Sequence, residues 1–318
     1  MNIKFHSMMA IWMMVWTLGG KGGRGTRERA HCTFAALEQT AKDGRWGVVS
    51  PGKITLRQLR NYVQKRLESG IGVRTLESDL SAIRKAMRAA GRGIDAANFT
   101  REQLGLPPAT RKGKGIAIPD EALDEAINKA PPRIRACIRV IEVLGLRMNE
   151  LVESRDSLPD WERALSVGGA TVELVAGAKG GKARPIFILP ARRADAYLAV
   201  LELLSLTNGG KEHPIVARSG RAAYNKFGRM LRRYGIVLKH SCHSLRRRFA
   251  LLQYRGYLLL GFAPRVALAR LAMDLGHGEK RGRWVLNNYL INSLTSEELA
   301  AFPRRGRPRK DQNLAKKE

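Results

Sequence analysis

The chain has 318 residues, with 57 Lys and Arg against 28 Asp and Glu, a formal net charge of +29. Charge of that size opposes compaction and points to a polyanionic partner, whereas 44% hydrophobic residues suit a folded chain and exclude a disordered basic tail protein. The three cysteines, Cys32, Cys137 and Cys242, are too few and scattered for a disulfide framework and fit a reducing, cytoplasmic compartment, and no apolar run is long enough to span a membrane. Nucleic acid is the expected partner, and the length suits about two domains.

Residues 8–18 (MMAIWMMVWTL) form an apolar run that is too short to span a bilayer and is followed by no small-residue cleavage site. Residues 1–30 are therefore set aside as an N-terminal extension outside the fold. Residues 31–104 read as helices. Leu56, Leu59, Val63 and Leu67 fall at helical spacing, as do Leu76, Leu80, Ile83 and Met87, with Thr75 a candidate cap and Gly91 a stop. Lys and Arg occupy the intervening positions. Each alone suits a solvated face, and together with the net charge they suit phosphate tracking.

Residues 105–118 are rich in Pro, Gly, Lys and Arg and read as a linker. A helix then opens at Asp120, and a second runs from Pro132 to about Leu144, with Ile134, Ile138, Ile141 and Leu144 inward and Gly145 as its stop. Residues 164–190 switch to a period of two, through Val172, Leu174, Ala176, Ile186 and Ile188. Gly180-Gly181 between the two runs predicts a two-residue hairpin turn flanked by Lys179 and Lys182. From residue 191 the pattern is helical again, through residue 300. Residues 301–318 are a charged tail, whose Arg305-Gly306-Arg307-Pro308 also suits an A·T-rich minor groove. The expected fold class is α+β and mostly helical: a helical N-terminal domain, then a mixed α/β domain over 119–300 with a small antiparallel sheet.

Four separated segments carry candidate chemistry. Arg147 and Glu150 follow Gly145; Lys179 sits in the hairpin; His243 and Arg246 share one helical face at i, i+3; and Gly276 ends a helix so that His277 is presented beyond it, ahead of Tyr289. Read singly, Arg147 pairs with Glu150, Lys179 competes with Lys182, Arg246 with Arg247 and Arg248, His277 is a helix-end histidine, and Tyr289 is a half-buried core residue. His240, Cys242 and His243 cluster, but their spacing matches no common zinc site. Carboxylates are too sparse around the expected strands for a metal-dependent, three-carboxylate transposase.

In this order, LGLRMNEL, a hairpin lysine, HSLR, LGH and a tyrosine, the chain resembles the tyrosine recombinases of the phage-integrase family over about residues 119–295. The resemblance implies that 31–104 is a core-binding DNA-binding domain and 119–300 the catalytic domain. It also implies that Tyr289 attacks the scissile phosphate to give a 3′-phosphotyrosyl link. Arg147 and Arg246 would grip phosphate oxygens, Lys179 would protonate the leaving 5′-oxygen, His243 would act as general acid–base, and His277 would hydrogen-bond the phosphate. No metal or ATP is required, and there is no P-loop. The implied partner is double-stranded DNA, met by a homo-tetramer on paired sites, with room for accessory DNA-bending proteins, and the implied role is integration or excision of a mobile element. A type IB topoisomerase and an inactive DNA-binding relic are the alternatives. The chain departs from the family in Arg247, where many members carry His or Lys, and in Gly278–Arg283, which lengthens the step from His277 to Tyr289 and reads as a loop insertion bounded by glycines.

Overall fold

The computed structural model describes residues 7–20, 23–108, 115–177, 183–237 and 241–302. Contacts divide the chain into two units, Met1–Arg111 and Lys112–Glu318. The first unit contains α1 (Met8–Leu18), α2 (Arg24–Asp43), α3 (Leu56–Glu68), α4 (Val73–Ala89) and the short α5 (Gly93–Asn98). The expected stripes are inward: Leu59 and Val63 on α3, and Leu76, Leu80, Ile83 and Met87 on α4, are all buried. Thr55 starts α3 with a reciprocal cap to Gln58. Helix α4 instead starts at Val73, so Thr75 is not its cap. Asp79, within that helix, is buried and accepts hydrogen bonds from the Thr33 hydroxyl at 3.0 Å and the Tyr62 hydroxyl at 2.9 Å. Burial and the Asp79 carboxylate push the Tyr62 phenol far above its ordinary pKa.

The apolar run at 8–18 belongs to this fold and is not an extension outside it. Met8, Trp12 and Trp16 are buried in the same core cluster as Phe34, Leu37 and Leu80. Trp12 donates Nε1–H to Val49 O at 2.7 Å, and the Lys85 ammonium lies 3.5 Å from the centre of the Trp16 ring. Ser7 caps its start, its hydroxyl accepting from Ala10 N–H at 3.3 Å, but the run carries no charge signal at either end, and its burial depends on α2 and α4 supplying the opposite wall. Leu106, placed in the linker by composition, is also buried in this core. Trp12→Ala is expected to destabilise the first unit by about 3–5 kcal/mol through the cavity it leaves, as read by urea denaturation; a change below about 1 kcal/mol would return the run to the status of an appendage.

The second unit contains α6 (Asp120–Lys129), α7 (Pro132–Leu144), α8 (Met148–Val152), α9 (Leu158–Ser166), β1 (Thr171–Leu174), β2 (Arg184–Phe187), α10 (Arg193–Leu206), α11 (Gly220–Arg233), α12 (Cys242–Leu259), α13 (Pro264–Asp274), α14 (Gly282–Val285) and α15 (Ser296–Ala300). The fold is mostly helical with a two-stranded antiparallel sheet, as the sequence pattern implies. The expected turn at Gly180-Gly181 lies outside the described residues; on the strands that flank it, Val172 pairs with Ile186 and Leu174 with Arg184. The strands stop at Leu174 and Arg184, and residues 164–166 belong to α9. The observed register sets Val172, Leu174, Ile186 and Arg184 on the buried face together. Lys179 and Lys182, like the tail from residue 303 on, lie outside the described residues.

Candidate active site

The site assembles where two helices end. Gly145 closes α7 in the left-handed region (φ 61°), and a Cβ there would lie 2.3 Å from the Phe249 ring, so both backbone and packing demand glycine. Arg147 follows at the N-cap of α8, with Glu150 one turn on. Gly276 (φ 67°) closes α13 in the same manner, leaving His277 just past its end. Carbonyls at helix C-termini carry partial negative charge and lack intrahelical donors, so guanidiniums settle there. Arg246 on α12 donates to Gly145 O and, at 2.6 Å, to Leu275 O; Arg147 donates to the same Leu275 O at 3.1 Å; and Arg184 donates Nε–H to Asp274 O at 2.8 Å.

One carboxylate holds these cations together. Glu150, with 0% of its surface exposed, receives both Arg184 Nη atoms at 3.0 and 3.1 Å, Arg147 Nη1, and the Arg147 backbone N–H at 2.6 Å, with Arg246 Nη1 at 3.7 Å. Burial alone would raise the Glu150 pKa, but Arg184, Arg246 and Arg147 overcome it and hold the carboxyl below its ordinary value. Burial and the neighbouring Arg246 push Arg184 down to about 9, against the pull of Glu150. With Glu150 ionised and the guanidiniums charged, the group carries two positive charges in excess. A buried surplus of that kind suits an anionic ligand.

Tyr289 lies against this group, 7% exposed. Its hydroxyl accepts from Arg246 Nε at 3.3 Å and sits 3.2 Å from His277 Nε2. Residues 278–283 are not an open loop: Glu279–Arg281 form a 3₁₀ turn, α14 follows directly, and Gly282 packs on Leu268 and Ala269 of α13. Leu286–Leu290 then form a π-turn, a single wide turn of the kind that recurs at functional sites. The longer step thus folds back and delivers Tyr289 to His277.

Arg147, Arg246, His277 and Tyr289 are therefore brought together. His243, the second residue of α12, feels the charges of Arg247, Arg246 and Arg147; partial loss of hydration and those cations lower its pKa below the ordinary imidazole value, which favours the neutral ring. Of the three adjacent arginines only Arg246 enters the cluster. Arg247 donates to Asn288 O at 3.4 Å, and Arg248 pairs with Asp120 and Glu142. Lys179 lies outside the described residues, but Gly177, two positions earlier, lies against α8. A Cβ at Gly177 would meet Asn149 O at 2.7 Å and Glu150 Cα at 2.9 Å. Sequence reasoning missed Arg184. The available signal was its inward parity with Ile186 and Ile188 in the alternating run, a charged residue at a position that faces the core.

Two family models match the chain in order: Phage integrase, N-terminal, over residues 39–96, and Integrase over residues 105–252. No curated protein matches it by sequence. Among solved structures, the Tn1549 transposon integrase in complex with transposon right-end DNA is similar with a TM-score of 0.60 and 14% identity, covering 93% of this chain and 98% of that one. A lambda integrase dimer bound to a COC′ core site matches with a TM-score of 0.55 and 14% identity over 96% and 79%. The XerH site-specific recombinase bound to palindromic difH substrate matches with a TM-score of 0.51 and 16% identity over 86% and 78%. At such identities the structures establish a shared fold, and the paired family models, which together span more than half of the sequence, settle the lineage: the chain belongs to the phage-integrase family of tyrosine recombinases.

Proposed function

We propose that the protein is a site-specific DNA recombinase whose nucleophile is Tyr289, and that it integrates or excises a mobile element in the cytoplasm. The observation that carries this reading is the position of Tyr289 Oη, within hydrogen-bonding distance of a buried guanidinium and of an imidazole nitrogen. A phenol attacks only when a cation stabilises the developing negative charge and a base takes its proton, and Arg246 and His277 are suited to these tasks. As the Oη–phosphorus bond forms and the 5′-oxygen leaves, the phosphoryl oxygens gain negative charge. Arg147 and Arg246 meet it with fork geometry, within a surplus of positive charge that was present before DNA arrived. The leaving oxygen takes its proton from Lys179, and neutral His243 serves as general acid–base beside the phosphate. The phosphotyrosyl link retains the bond energy for rejoining, so strand exchange draws on neither ATP nor a metal. Assembly as a tetramer on paired sites, with accessory DNA-bending proteins where needed, follows the pattern of the similar lambda integrase, which is described as a tetramer bound to a Holliday junction.

The deciding experiment incubates the protein, without metal, with DNA spanning the junctions of its own element, then digests the DNA and locates the adduct by mass spectrometry. A nucleotide on Tyr289 supports the reading. Adducts formed equally on any supercoiled plasmid indicate a topoisomerase, and tight binding with no adduct indicates a relic.

Two further outcomes are expected. Gly177→Ala puts a methyl group into the α8 backbone at a position with φ 68°, so Gly177 or the turn of α8 that carries Glu150 must give way. Cleavage should fall about tenfold or more with DNA affinity unchanged, by gel shift and single-turnover assay; an unaltered rate would mean that this contact does not help position the cluster. Because the His243 pKa is lowered, its neutral form persists as pH falls, and the acid limb of the cleavage rate should lie below about pH 6.5. A limb above that value, or one unchanged in His243→Ala, would remove His243 from the proton transfers.

A further inference from the structure

Trp284 is assigned no role by the motif order, yet its surroundings single it out. Its ring lies 4.4 Å, centre to centre, from His277 at an interplanar angle of 49°, and 6.0 Å edge-on from Tyr289. His277 and Tyr289 are themselves 5.7 Å apart, so the three rings form one cluster, with the Arg246 guanidinium 5.8 Å from the Tyr289 ring centre. Trp284 is the outermost member, 38% exposed. The part of its ring that is covered lies against the His277 imidazole.

The backbone explains how this is achieved. In an α-helix, positions five apart lie about 140° apart around the axis, so Trp284 and Tyr289 would point to different sides. The π-turn at Leu286–Leu290, closed by Ile291 N–H to Leu286 O at 2.9 Å, absorbs one residue and turns Tyr289 back toward Trp284. Asn288 Nδ2 donates to Trp284 O at 2.7 Å across the same turn. The residues that lengthen the step from His277 end in α14, the element that carries Trp284. Trp284 packs at a tilt against the His277 ring and so limits its rotation about the side-chain bonds.

We propose that Trp284 is a positioning residue for the nucleophile: it fixes the His277 ring so that Nε2 faces Tyr289 Oη, and it acts on cleavage only through His277. This rests on the assignment of Tyr289 as nucleophile. Trp284 meets the rings of His277 and Tyr289, so its loss should slow the covalent step without weakening DNA binding.

The test is a double-mutant cycle on the full chain, using single-turnover cleavage of a nicked duplex that carries the element junction. Trp284→Ala is expected to slow formation of the Tyr289 adduct by about 10- to 100-fold, with gel-shift affinity within about twofold of wild type. Trp284→Phe, which keeps a ring against His277, should restore most of the rate. In a His277→Ala background, Trp284→Ala should add nothing. An equal penalty with and without His277, a rate unchanged by Trp284→Ala, or no rescue by Trp284→Phe would overturn the proposal. Should Trp284→Ala lower the melting temperature, the cycle is measured with Trp284→Leu, whose rate loss should likewise vanish in the His277→Ala background. A wild-type protein that forms no adduct on Tyr289 would remove the nucleophile assignment itself, and this inference with it, which is distinguishable from failure of the cycle alone.

Discussion

Tyr289→Phe is expected to bind junction DNA as the wild type does and to form no covalent adduct, a loss of at least about 10³-fold in cleavage. The substitution removes one oxygen. That oxygen accepts from Arg246 and contacts His277, but the Arg246 guanidinium keeps its bonds to Gly145 O and Leu275 O, so the cationic pocket stays assembled. Binding affinity, which comes chiefly from phosphate contacts and counterion release, has no reason to change. Gel shift and the adduct assay read the two quantities separately. Residual cleavage near the wild-type rate would assign the nucleophile elsewhere.

Glu150→Gln carries the second large effect, on stability as well as chemistry. The carboxylate is fully buried and answers Arg147, Arg184 and Arg246 at once. Removing its charge leaves buried guanidiniums facing one another, and breaking a buried ion pair from one side costs about 3–5 kcal/mol. Urea denaturation should show the transition of the second unit moved to lower denaturant, with that of the first unit unmoved. The wild type should show the same loss as pH falls. The Glu150 pKa in the folded chain lies below its unfolded value, so its contribution is complete above about pH 4.3 and is lost progressively as the pH drops further. Glu150→Gln, having no proton to take up, should be less steeply acid-sensitive. Equal acid slopes in the two proteins would mean that Glu150 is not the anion on which the cluster depends.

The helices of the second unit were largely legible because their signals are local. The stripe of Ile134, Ile138, Ile141 and Leu144, Pro132 at the start of α7 and Gly145 at its end require no knowledge of the rest of the chain. Gly276 as the stop before His277 was readable for the same reason. The two strands were legible from their period of two, but their register answers to a distant demand: Arg184 meets Glu150, 34 residues away, while Val172 and Ile186 stay in the core. The helix at 8–18 was set aside because nothing within the run says what will cover it.

The sequence by itself determined the charge that selects a polyanion, the helical and strand periods, and the order of Arg147, His243, Arg246, His277 and Tyr289 that marks the family. Tertiary structure alone decided that Arg184 joins the cluster, that Arg247 and Arg248 turn to other partners, and that the lengthened step after His277 folds into a turn that brings Tyr289 home. The physical reason is common to all three. Hydrophobic periodicity is written along a single segment, but which guanidinium can be buried is set by the carboxylate and the helix-end carbonyls that distant segments bring to meet it.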